Sequence, residues 1–520
     1  MSDTQVLIVG AGPTGLILAL CLRRFGLRVR IIDKTAGPGT TSRALVVHAR
    51  TLEFYDQLGL AEAVVTRGLK FAAVNLWVRG RKAAHVSLGA IGQGLSPFPY
   101  LIIFPQDEHE QLLIDRLAEA GTKVERETEL LGFEERGNHV LARLRGPNGI
   151  EEACEVAYVA GCDGAHSTVR ETLKIGFPGG TYRYLFYVAD VDATGPVMDH
   201  ELHVALDDVD LLAVFPMAGS GRARLIGTVR AEAEARHGAP SWHDVSQRLF
   251  ERLSIQVKQV NWFSTYHVHH RVADRFQQGR AFLLGDAAHI HSPVGGQGMN
   301  TGIGDAVNLA WKLVAVLQER ANVSLLHTYE PERIAFARRL VATTDRAFTF
   351  VNSPGSLARF VRIKVVPRLL PALVSLSFIR RFMFRTISQI GVNYRCSRLS
   401  MGDAGHVKGG DRLPWVATGD GSNGRGDNFA PLRSCDWQVH VYGTCSAGIA
   451  ELCERRGLAL HVFSWRPATA DAGIRRGAVY LVRPDGYIGL VDAGANPGAL
   501  ERYLDDQSVQ PLNRMDLENA

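Results

Sequence analysis

The glycines near the start of the chain are spaced for holding a phosphate group. The sequence Gly10-Ala-Gly12-Pro13-Thr-Gly15 is a G-x-G-x-x-G motif. Gly10 permits a tight turn, Gly12 lets backbone N–H groups approach a diphosphate, and Gly15 lets a helix pack closely on a strand. The N-terminus of the helix that follows carries partial positive charge, which favours phosphates. The motif therefore predicts a dinucleotide-binding turn.

The residues around this turn predict a βαβ unit. Residues 4–9 are typical of a buried parallel strand, residues 16–25 of a helix and residues 27–32 of a second strand. Asp33, at the end of the second strand, can accept hydrogen bonds from an adenosine ribose, and Lys34 follows it. With the acid in place, a purely structural glycine turn is the weaker interpretation. The motif alone does not separate FAD from NAD.

Two distant segments also place a glycine and an acid at the end of a strand. Asp163-Gly164 ends the apolar strand 155–162, and Gly285-Asp286 ends the strand 281–285. The second pair leads into a glycine-rich loop whose backbone donors could reach an anionic group. A helix that starts near Gly298 would add about 0.3–2 kcal/mol through its dipole. The loop sequence is Pro293-Val294-Gly295-Gly296-Gln297-Gly298-Met299-Asn300.

These segments resemble the DG and GD fingerprints of the class A flavoprotein aromatic hydroxylases, typified by para-hydroxybenzoate hydroxylase and phenol hydroxylase. Shorter matches to that family are Arg43-Ala44, Arg50-Thr51, Gln106 with Glu110, and residues 305–312. The resemblance covers residues 4–340. It implies an α/β (α+β) fold, with a Rossmann-type FAD-binding domain into which an antiparallel-sheet substrate domain is inserted.

The resemblance also implies roles within the site. Arg43 and Gln106 would contact FAD, and Asp286 would bind the ribityl hydroxyls. Asp163 would lie near the diphosphate and shape a groove for NAD(P)H, which Arg170 would support. The complete predicted cofactor set is Gly10, Gly12, Pro13, Gly15, Asp33, Lys34, Arg43, Gln106, Asp163, Arg170, Gly285, Asp286, Pro293, Gly296, Gly298, Met299 and Asn300.

The activity implied by the resemblance is an FAD-dependent monooxygenase reaction. NADPH or NADH reduces FAD, O2 then gives a flavin C4a-hydroperoxide, and one oxygen atom is transferred to a small aromatic substrate, phenolic or polyketide-like. The loop of Pro293, Gly295 and Gly296 would lie against the ring where this chemistry occurs. A phenol, with a pKa of about 10, reacts better once its proton is removed, so a base or relay is expected. The sequence does not identify that base.

The substrate is expected between the flavin and the antiparallel layer. Short alternating runs from about residue 178 to 270 predict that layer. Phe215, Pro216 and Met217 lie on one predicted strand and are candidates for the pocket wall, and Val294 would border the pocket on the flavin side. Apolar residues of this kind are more often simple core.

Four parts of the chain are predicted. Residues 1–177 and 275–400 build the FAD-binding domain and its covering helices, 178–274 the substrate domain, and 401–520 a C-terminal domain. Residues 355–392, which are apolar but carry arginines, are expected to be helices packed over the core. The tail resembles the end of phenol-hydroxylase-type enzymes, where the last domain is thioredoxin-like. It lacks CxxC, so thiol redox chemistry is not expected and a packing or subunit role, such as a homodimer contact, is preferred.

Composition excludes several other classes. The formal charge is +5 with no concentrated Lys/Arg block, so no nucleic-acid partner is expected. Seven cysteines without a CxxC pair predict neither a disulfide framework nor a zinc site. His289 and His291 have no third ligand nearby, and no metal is predicted. The chain shows no signal peptide and no apolar run of about 18–20 residues, which predicts a cytoplasmic protein without stable membrane insertion.

Three alternatives remain at this level. A flavin-dependent epoxidase or Baeyer–Villiger monooxygenase would carry the same motifs. An ordinary NAD-dependent dehydrogenase would not need the Gly285-Asp286 segment and its loop. A non-catalytic FAD-binding protein would hold the flavin without consuming NAD(P)H.

Overall fold

A computed structural model describes residues 4–39, 44–70, 72–89, 91–206, 211–219, 221–229, 240–292, 294–352, 360–419 and 426–511. Strands and helices alternate in the first part of the chain. In chain order they are β1 (Val6–Val9), α1 (Pro13–Arg24), β2 (Val29–Ile32), β3 (Val46–Val47), α2 (Ala49–Gln57), α3 (Ala61–Arg67), β4 (Leu69–Lys70), β5 (Ala73–Val78), β6 (Arg81–Ser87), β7 (Ile102–Ile103), α4 (Gln106–Glu119), β8 (Glu129–Arg136), β9 (His139–Arg145), β10 (Glu151–Val156), β11 (Tyr158–Gly161) and α5 (Thr168–Thr172).

Longer strands follow, then long helices, and then a second mixed region. These elements are β12 (Gly179–Thr194), β13 (Leu202–Leu206), β14 (Leu211–Pro216), β15 (Arg222–Thr228), α6 (Arg248–Arg252), β16 (Gln256–Val272), β17 (Gln277–Gln278), β18 (Ala281–Leu283), β19 (His289–Ile290), α7 (Gln297–Leu317), α8 (Tyr329–Asn352), α9 (Val366–Ser375), α10 (Ser377–Ile387), β20 (Asp403–Ala404), β21 (Val407–Lys408), β22 (Gln438–Tyr442), α11 (Ala447–Arg456), β23 (Ala459–Phe463), α12 (Pro467–Asp471), β24 (Val479–Val482), β25 (Ile488–Asp492) and α13 (Pro497–Gln507).

A five-stranded sheet in the order β17-β18-β11-β1-β2 carries the predicted cofactor segments. β1 pairs in parallel with β2 and β11, and β11 pairs in parallel with β18. Parallel strands covered on both faces are apolar throughout, as in β1 and β11, whose residues are all buried. The carboxyl ends of three strands therefore meet at one edge, where Gly10, Asp163 and Gly285 follow them.

The second large sheet has eight strands in the order β19-β16-β12-β15-β14-β13-β5-β6. The pairs among β12 to β16 are antiparallel, as the alternating pattern predicts. The sheet nevertheless extends beyond the predicted range 178–274. β5 from the first part of the chain pairs in parallel with β13, and β6 forms the edge. This layer is therefore built from strands far apart in the sequence.

A four-stranded sheet in the order β23-β22-β24-β25, accompanied by α11, α12 and α13, forms the end of the described chain. β22 is parallel to β23 and antiparallel to β24, and β24 is antiparallel to β25. The thioredoxin-like assignment stays a prediction, which this mixed strand arrangement supports. Trp311 and Ala315 of α7 belong to the same apolar core as these strands, so the tail packs directly on the cofactor-binding part.

Buried charges also join this last sheet to α7 and α8. Arg483 donates to both carboxylate oxygens of Glu332, at 2.8 and 3.0 Å, and to Asp485 Oδ2 at 2.6 Å. Lys312 donates to Glu332 Oε2 at 2.9 Å. Burial alone would raise the pKa of Glu332, but Arg483 and Lys312 hold it far below its ordinary value. The tail is thus fixed to the two long helices by ion pairs inside the core.

Candidate active site

The predicted dinucleotide turn is built as its glycines require. Gly10 follows β1 with a φ of 103°, and a Cβ there would overlap the carbonyl oxygen of Cys162. A Cβ on Gly15 would overlap the Gly10 carbonyl oxygen. A Cβ on Gly12, by contrast, meets no atom of the described residues within 4 Å. Because Gly12 caps α1 and Pro13 begins it, open space lies in front of the positive end of the helix.

Asp33 organises this turn from the end of β2. Its Oδ2 accepts a hydrogen bond from the Ala11 N–H at 2.8 Å, and its Oδ1 accepts one from the Thr35 N–H at 2.9 Å. Arg126 Nη1 lies 3.8 Å from Asp33 Oδ1, and Arg126 Nη2 is buried with no partner among the described residues. Lys34 is exposed beside the turn. This end of the site therefore presents the Asp33 carboxylate and an Arg126 N–H group that has no hydrogen-bond partner among the described residues.

Gln106 holds the segment that precedes β3. Its Oε1 accepts from the Ala44 N–H at 3.3 Å, and its Nε2 donates to Glu110 Oε1 at 2.7 Å. Glu110 Oε2 in turn accepts from the Gly39 N–H at 3.2 Å, and burial raises the pKa of this glutamate. Arg43 lies outside the described residues. Gln106 and Glu110 are therefore placed to fix the two ends of the segment that carries Arg43.

The two halves of the predicted site meet on one threonine hydroxyl. Gly285 follows β18 with a φ of 56°, and a Cβ there would lie 2.8 Å from Thr14 Oγ1 of α1. A Cβ on Gly302 of α7 would overlap the same oxygen and would lie 3.1 Å from Gly285 Cα. α1, the Gly285 turn and α7 can approach this closely only because both positions are glycine. Asp286 is exposed at this junction.

Asp305 of α7 holds the Gly285 turn in place through a hydrogen bond to its backbone. It accepts hydrogen bonds from the Gly285 N–H at 3.0 Å, from His289 Nε2 at 2.8 Å and from Arg333 Nε at 2.6 Å. Burial alone would raise the pKa of Asp305, but Arg333 and His289 hold it below its ordinary value. The His291 side chain contacts the adjacent backbone, with its Nδ1 2.7 Å from the Ser292 carbonyl oxygen. The described residues contain no group of three or more His, Cys, Asp or Glu arranged to hold a metal.

The glycine loop leads into the N-terminus of α7. Gly295 and Gly296 both have left-handed backbone conformations, with φ of 78° and 63°. His48 Nε2 lies 3.0 Å from the Gly295 carbonyl oxygen, and burial lowers the pKa of His48 to about 4. The ring is therefore neutral near pH 7 and donates from Nε2, while its buried Nδ1 has no partner in the described part of the chain. Pro293 lies outside the described residues, and Val294 begins the three-residue helical turn before α7.

Asn300 is occupied by hydrogen bonds within the protein. Its Nδ2 donates to the carbonyl oxygens of Val46 and Gly296, both at 2.8 Å. Its Oδ1 accepts from the His48 N–H at 2.9 Å and from Thr51 Oγ1 at 2.7 Å. The side chain thus ties the glycine loop to β3 and α2. The neighbouring predicted residues lie in the first turn of α7, where Met299 packs against the core and Gly298 is partly exposed.

The DG segment faces the same edge of the sheet. Asp163 Oδ2 accepts from the Val169 N–H at 3.1 Å, whereas Oδ1 is buried without a partner among the described residues. Burial raises the pKa of Asp163. Arg170 donates to the carbonyl oxygens of Ala287 at 2.9 Å and Ala165 at 2.8 Å. Arg170 therefore links the DG and GD segments directly.

The predicted pocket-wall residues occupy different environments. Phe215 is half-buried and packs with Val46 and Leu45 next to the glycine loop. Pro216 ends β14, and Met217 beyond it is buried. Phe215 is thus placed toward the cofactor segments, whereas Pro216 and Met217 have the burial expected of core residues.

A buried ion pair beside this wall was not predicted. Arg224 donates to Asp190 Oδ1 at 2.6 Å and to Oδ2 at 2.7 Å, and its Nη1 lies 3.5 Å from the Ala44 carbonyl oxygen. Arg224 is 1% exposed although it is directly opposite Phe215 in the sheet. Arg224 lies two residues after Arg222 in the strand Arg222–Thr228, so its own burial had no clear local signal. His48 was also missed, because nothing in the local sequence places it under a loop some 247 residues later.

The fold and this edge define a protein that binds a flavin dinucleotide. Residues 3–344 match the family described as the FAD binding domain. The 6-methylpretetramide 4-monooxygenase of Streptomyces rimosus is 35% identical over 522 residues, which cover 93% of this chain and 90% of the relative. The rifampicin monooxygenase of Streptomyces venezuelae is 32% identical over 404 residues, which cover 75% of this chain and 79% of the relative.

A solved structure is similar along almost the whole chain. The OxyS anhydrotetracycline hydroxylase from Streptomyces rimosus superposes with a TM-score of 0.77 at 28% identity, covering 98% of this chain and 99% of that one. The chain belongs to the FAD binding domain family and is an FAD-dependent aromatic monooxygenase. Among the described residues, no helix has the length and hydropathy needed to cross a membrane.

Proposed function

We propose that FAD lies along the edge from the Gly10–Gly15 turn to the glycine loop before α7. The turn and Asp33 would hold the adenosine diphosphate, Asp286 the ribityl chain, and the backbone of residues 295–299 the ring. The observation that carries this proposal is the contact of Gly285 and Gly302 with Thr14. Through this contact the Gly10–Gly15 turn, which contains Thr14, and the Gly285 segment lie directly against each other.

Features of the protein alone fit the cofactor. The space in front of Gly12 is open, at the N-terminus of a 12-residue helix, where a diphosphate is stabilised by N–H groups and the dipole. Arg126 Nη2 and Asp163 Oδ1 are buried polar atoms without partners among the described residues. Such atoms are uncommon in folded proteins, because each one costs about 1–3 kcal/mol when unsatisfied. A polar ligand along this edge would satisfy them.

NADPH or NADH is the proposed electron donor, entering beside Asp163 and Arg170. Histidines and an arginine cluster at this position. The pKa of His269 is lowered first by burial and then by Arg271, His267 and His166. Because its pKa is lowered, His269 is uncharged near neutral pH, and the positive charge beside the DG segment comes from Arg170 and Arg271, which suits the phosphates of a nicotinamide dinucleotide.

When bound, FAD would supply the redox chemistry between the nicotinamide and O2. The chain supplies the environment for that chemistry. The N-terminus of the 21-residue α7 and the N–H groups of the glycine loop would stabilise negative charge on the ring. Neutral His48 orients the Gly295 carbonyl without adding a competing charge. The apolar group around Phe215 excludes water from the substrate side.

The substrate is proposed to be an aromatic, phenolic or polyketide-like small molecule held between the glycine loop and the eight-stranded sheet. Relatives act on 6-methylpretetramide and rifampicin, as their names state. Phe215 is the wall residue best placed for this role, since it packs with Val46, and a Cβ on Gly296 would lie 3.1 Å from Val46 Cβ. Hydroxylation is the proposed outcome for such a substrate.

The test begins with the purified full chain. It should be yellow, and a panel of phenols and aromatic polyketides should stimulate its NAD(P)H consumption, with one atom from 18O2 in the product. A ring-expanded ester as product would show a Baeyer–Villiger monooxygenase instead of a hydroxylase. An epoxide as product would show an epoxidase. Flavin binding without stimulated consumption by any aromatic would refute the enzymatic proposal.

A matched pair of variants tests where FAD binds. Gly12→Val fills the open space at the α1 N-terminus and should yield colourless apoprotein. Gly89→Val is the control, because a Cβ there also meets nothing within 4 Å and the residue lies in an exposed turn. Equal flavin content in the two variants would contradict the proposed diphosphate position.

A further inference from the structure

The helices α9 and α10 expose an unusual amount of apolar surface. The sequence predicts them to be packed over the core, and Val374 and Phe384 are indeed buried. Six large apolar side chains between residues 360 and 382 are instead 45–69% exposed, against four such side chains elsewhere in the described chain. We call these six the apolar patch: Phe360, Leu369, Leu373, Leu376, Phe378 and Phe382.

The patch follows the helical period. Leu369 and Leu373 are four residues apart on α9, and Leu376 follows three residues later at its C-cap. Phe378 and Phe382 are likewise four residues apart on α10. Residues at these spacings share one helix face. Both short helices therefore present an apolar face to solvent, and a surface of this kind marks a site of interaction.

The surroundings of the patch are strongly cationic. Residues 346–402 contain ten Lys and Arg but no Asp or Glu, although the whole chain has 53 acidic residues. On the described helices Arg368, Arg381 and Arg385 are exposed, and Lys364 is exposed on the turn before α9. Arg395 of this segment pairs with Asp411, whereas none of these four side chains forms an ion pair among the described residues, so they are available to an anionic partner.

The neighbouring sheet edge has the same character. α9 packs on β6, and residues 63–106 around that strand also lack Asp and Glu while carrying five Lys and Arg. Arg81 and Lys82 are exposed on β6. The apolar patch is therefore bordered by positive charge from two segments distant in sequence.

We propose that the apolar patch and its flanking cations dock on an anionic lipid surface. The aromatic and leucine side chains would enter the acyl boundary while the arginines and lysines contact phosphate headgroups. This combination of exposed Phe and Leu with flanking Lys and Arg on short helices is the composition of interfacial helices. A second copy of the chain is a poorer occupant, because a symmetric contact would bring two carboxylate-free surfaces together.

The patch is connected to the proposed active site. α10 ends at Ile387, whose carbonyl oxygen accepts from Gln297 Nε2 at 2.9 Å in the first turn of α7. The following Ser388 carbonyl accepts from the Arg50 N–H at 3.2 Å. Docking would therefore place the ring-binding end of the site near the lipid, from which an apolar aromatic could enter. The lipid contact itself does not depend on which substrate the enzyme uses.

The test is co-sedimentation of the flavin-loaded protein with vesicles. Phosphatidylcholine vesicles should bind little, whereas vesicles with about a third phosphatidylglycerol should bind protein in a manner that weakens with added salt. The double variant Phe378→Ser, Phe382→Ser should lower the partition coefficient at least about tenfold, since apolar area is lost. The double variant Arg368→Gln, Arg381→Gln should lower it by about 30-fold on anionic vesicles.

Control variants lie on the distant C-terminal sheet. Val462→Ser removes an apolar side chain that is 51% exposed, and Arg455→Gln removes an exposed cation paired with Glu501. Both should bind vesicles like the parent protein. All variants should retain flavin and NAD(P)H oxidation with a soluble aromatic, which shows that they are folded.

Three results would overturn the lipid assignment. The first is absence of binding to anionic vesicles by the parent protein. The second is equal loss in the control and patch variants. The third is binding to another partner without binding to vesicles. A parent dimer that becomes monomeric in the phenylalanine variant would assign the patch to a second copy, and retention on an immobilised acidic polypeptide would assign it to an acidic protein.

Discussion

Replacing Gly302 by alanine should separate the two halves of the cofactor site. The new Cβ would overlap Thr14 Oγ1 and lie 3.1 Å from Gly285 Cα, tighter than ordinary contacts. Relief requires a shift of α7 from α1 by about an ångström, and overpacking of this kind costs about 1–3 kcal/mol. The helix propensity of alanine over glycine returns about 0.8–1.0 kcal/mol. The free energy of unfolding should therefore fall by about 0–2 kcal/mol.

Binding of FAD should report the same displacement more directly. If the overpacking energy is expressed in the cofactor site, the Kd for FAD rises about 5- to 150-fold. Titrating apoprotein with FAD while following flavin fluorescence measures this Kd, and urea unfolding measures stability. The variant Thr14→Ala removes the overlapping oxygen, so the double variant should bind FAD more tightly than Gly302→Ala alone. The coupling energy in this cycle should be about 1–3 kcal/mol.

The cycle has a clear negative outcome. Additive effects of the two substitutions would mean that Thr14 and Gly302 do not touch. The same holds if Gly302→Ala binds FAD as well as the parent protein. Either result would refute the claim that the first turn and the Gly285 segment share one binding edge.

Three further predictions address other parts of the molecule. Asp286→Ala should weaken FAD binding about 10- to 100-fold in the same titration, and full flavin occupancy in this variant would contradict the ribityl assignment. Glu332→Gln should lower the free energy of unfolding by about 3–5 kcal/mol, because Arg483 and Lys312 would be left underpaired. Glu501→Gln, which removes a surface ion pair with Arg455, should change it by less than about 1 kcal/mol. Equal urea midpoints for the two variants would refute the buried network. Because burial lowers the pKa of His48 from 6.5 to about 4, its contribution to stability is complete above pH 6.5 and is lost as pH falls toward 4. His48→Gln should therefore reduce the pH dependence of the unfolding free energy by about 1.4 kcal/mol per pH unit between these two pH values. An unchanged slope would show that His48 is not buried in its neutral form.

The cofactor edge was predictable because its signals are local. A strand, a glycine turn and a helix follow one another at Gly10, and Asp33 ends the next strand of the same unit. At Gly285 a strand again leads into a glycine turn, with the short strand β19 before α7. Parallel strands then force their carboxyl ends to one edge. The sequence therefore indicated both the turn geometry and the side of the sheet on which it lies.

The remainder depended on long-range pairing. No strand was predicted from the sequence over residues 73–87, and nothing local shows that β5 pairs with β13. Asn300 was expected at the cofactor, yet its side-chain donors and acceptor are used by Val46, Gly296, His48 and Thr51. Contact of Asn300 with the cofactor stays a prediction, whereas the partners of its side chain lie about 250 residues away in the sequence and have no local signal.

On the ribosome, α7 and α8 are made long before their charges are balanced. Glu332 emerges 151 residues ahead of Arg483, which neutralises it together with Lys312. Until the last sheet is synthesised, α7, which follows the glycine loop, also lacks the apolar residues that cover Trp311. Cofactor loading should therefore follow termination of translation, and a chain stalled before its final strands should stay colourless even in a cell rich in riboflavin.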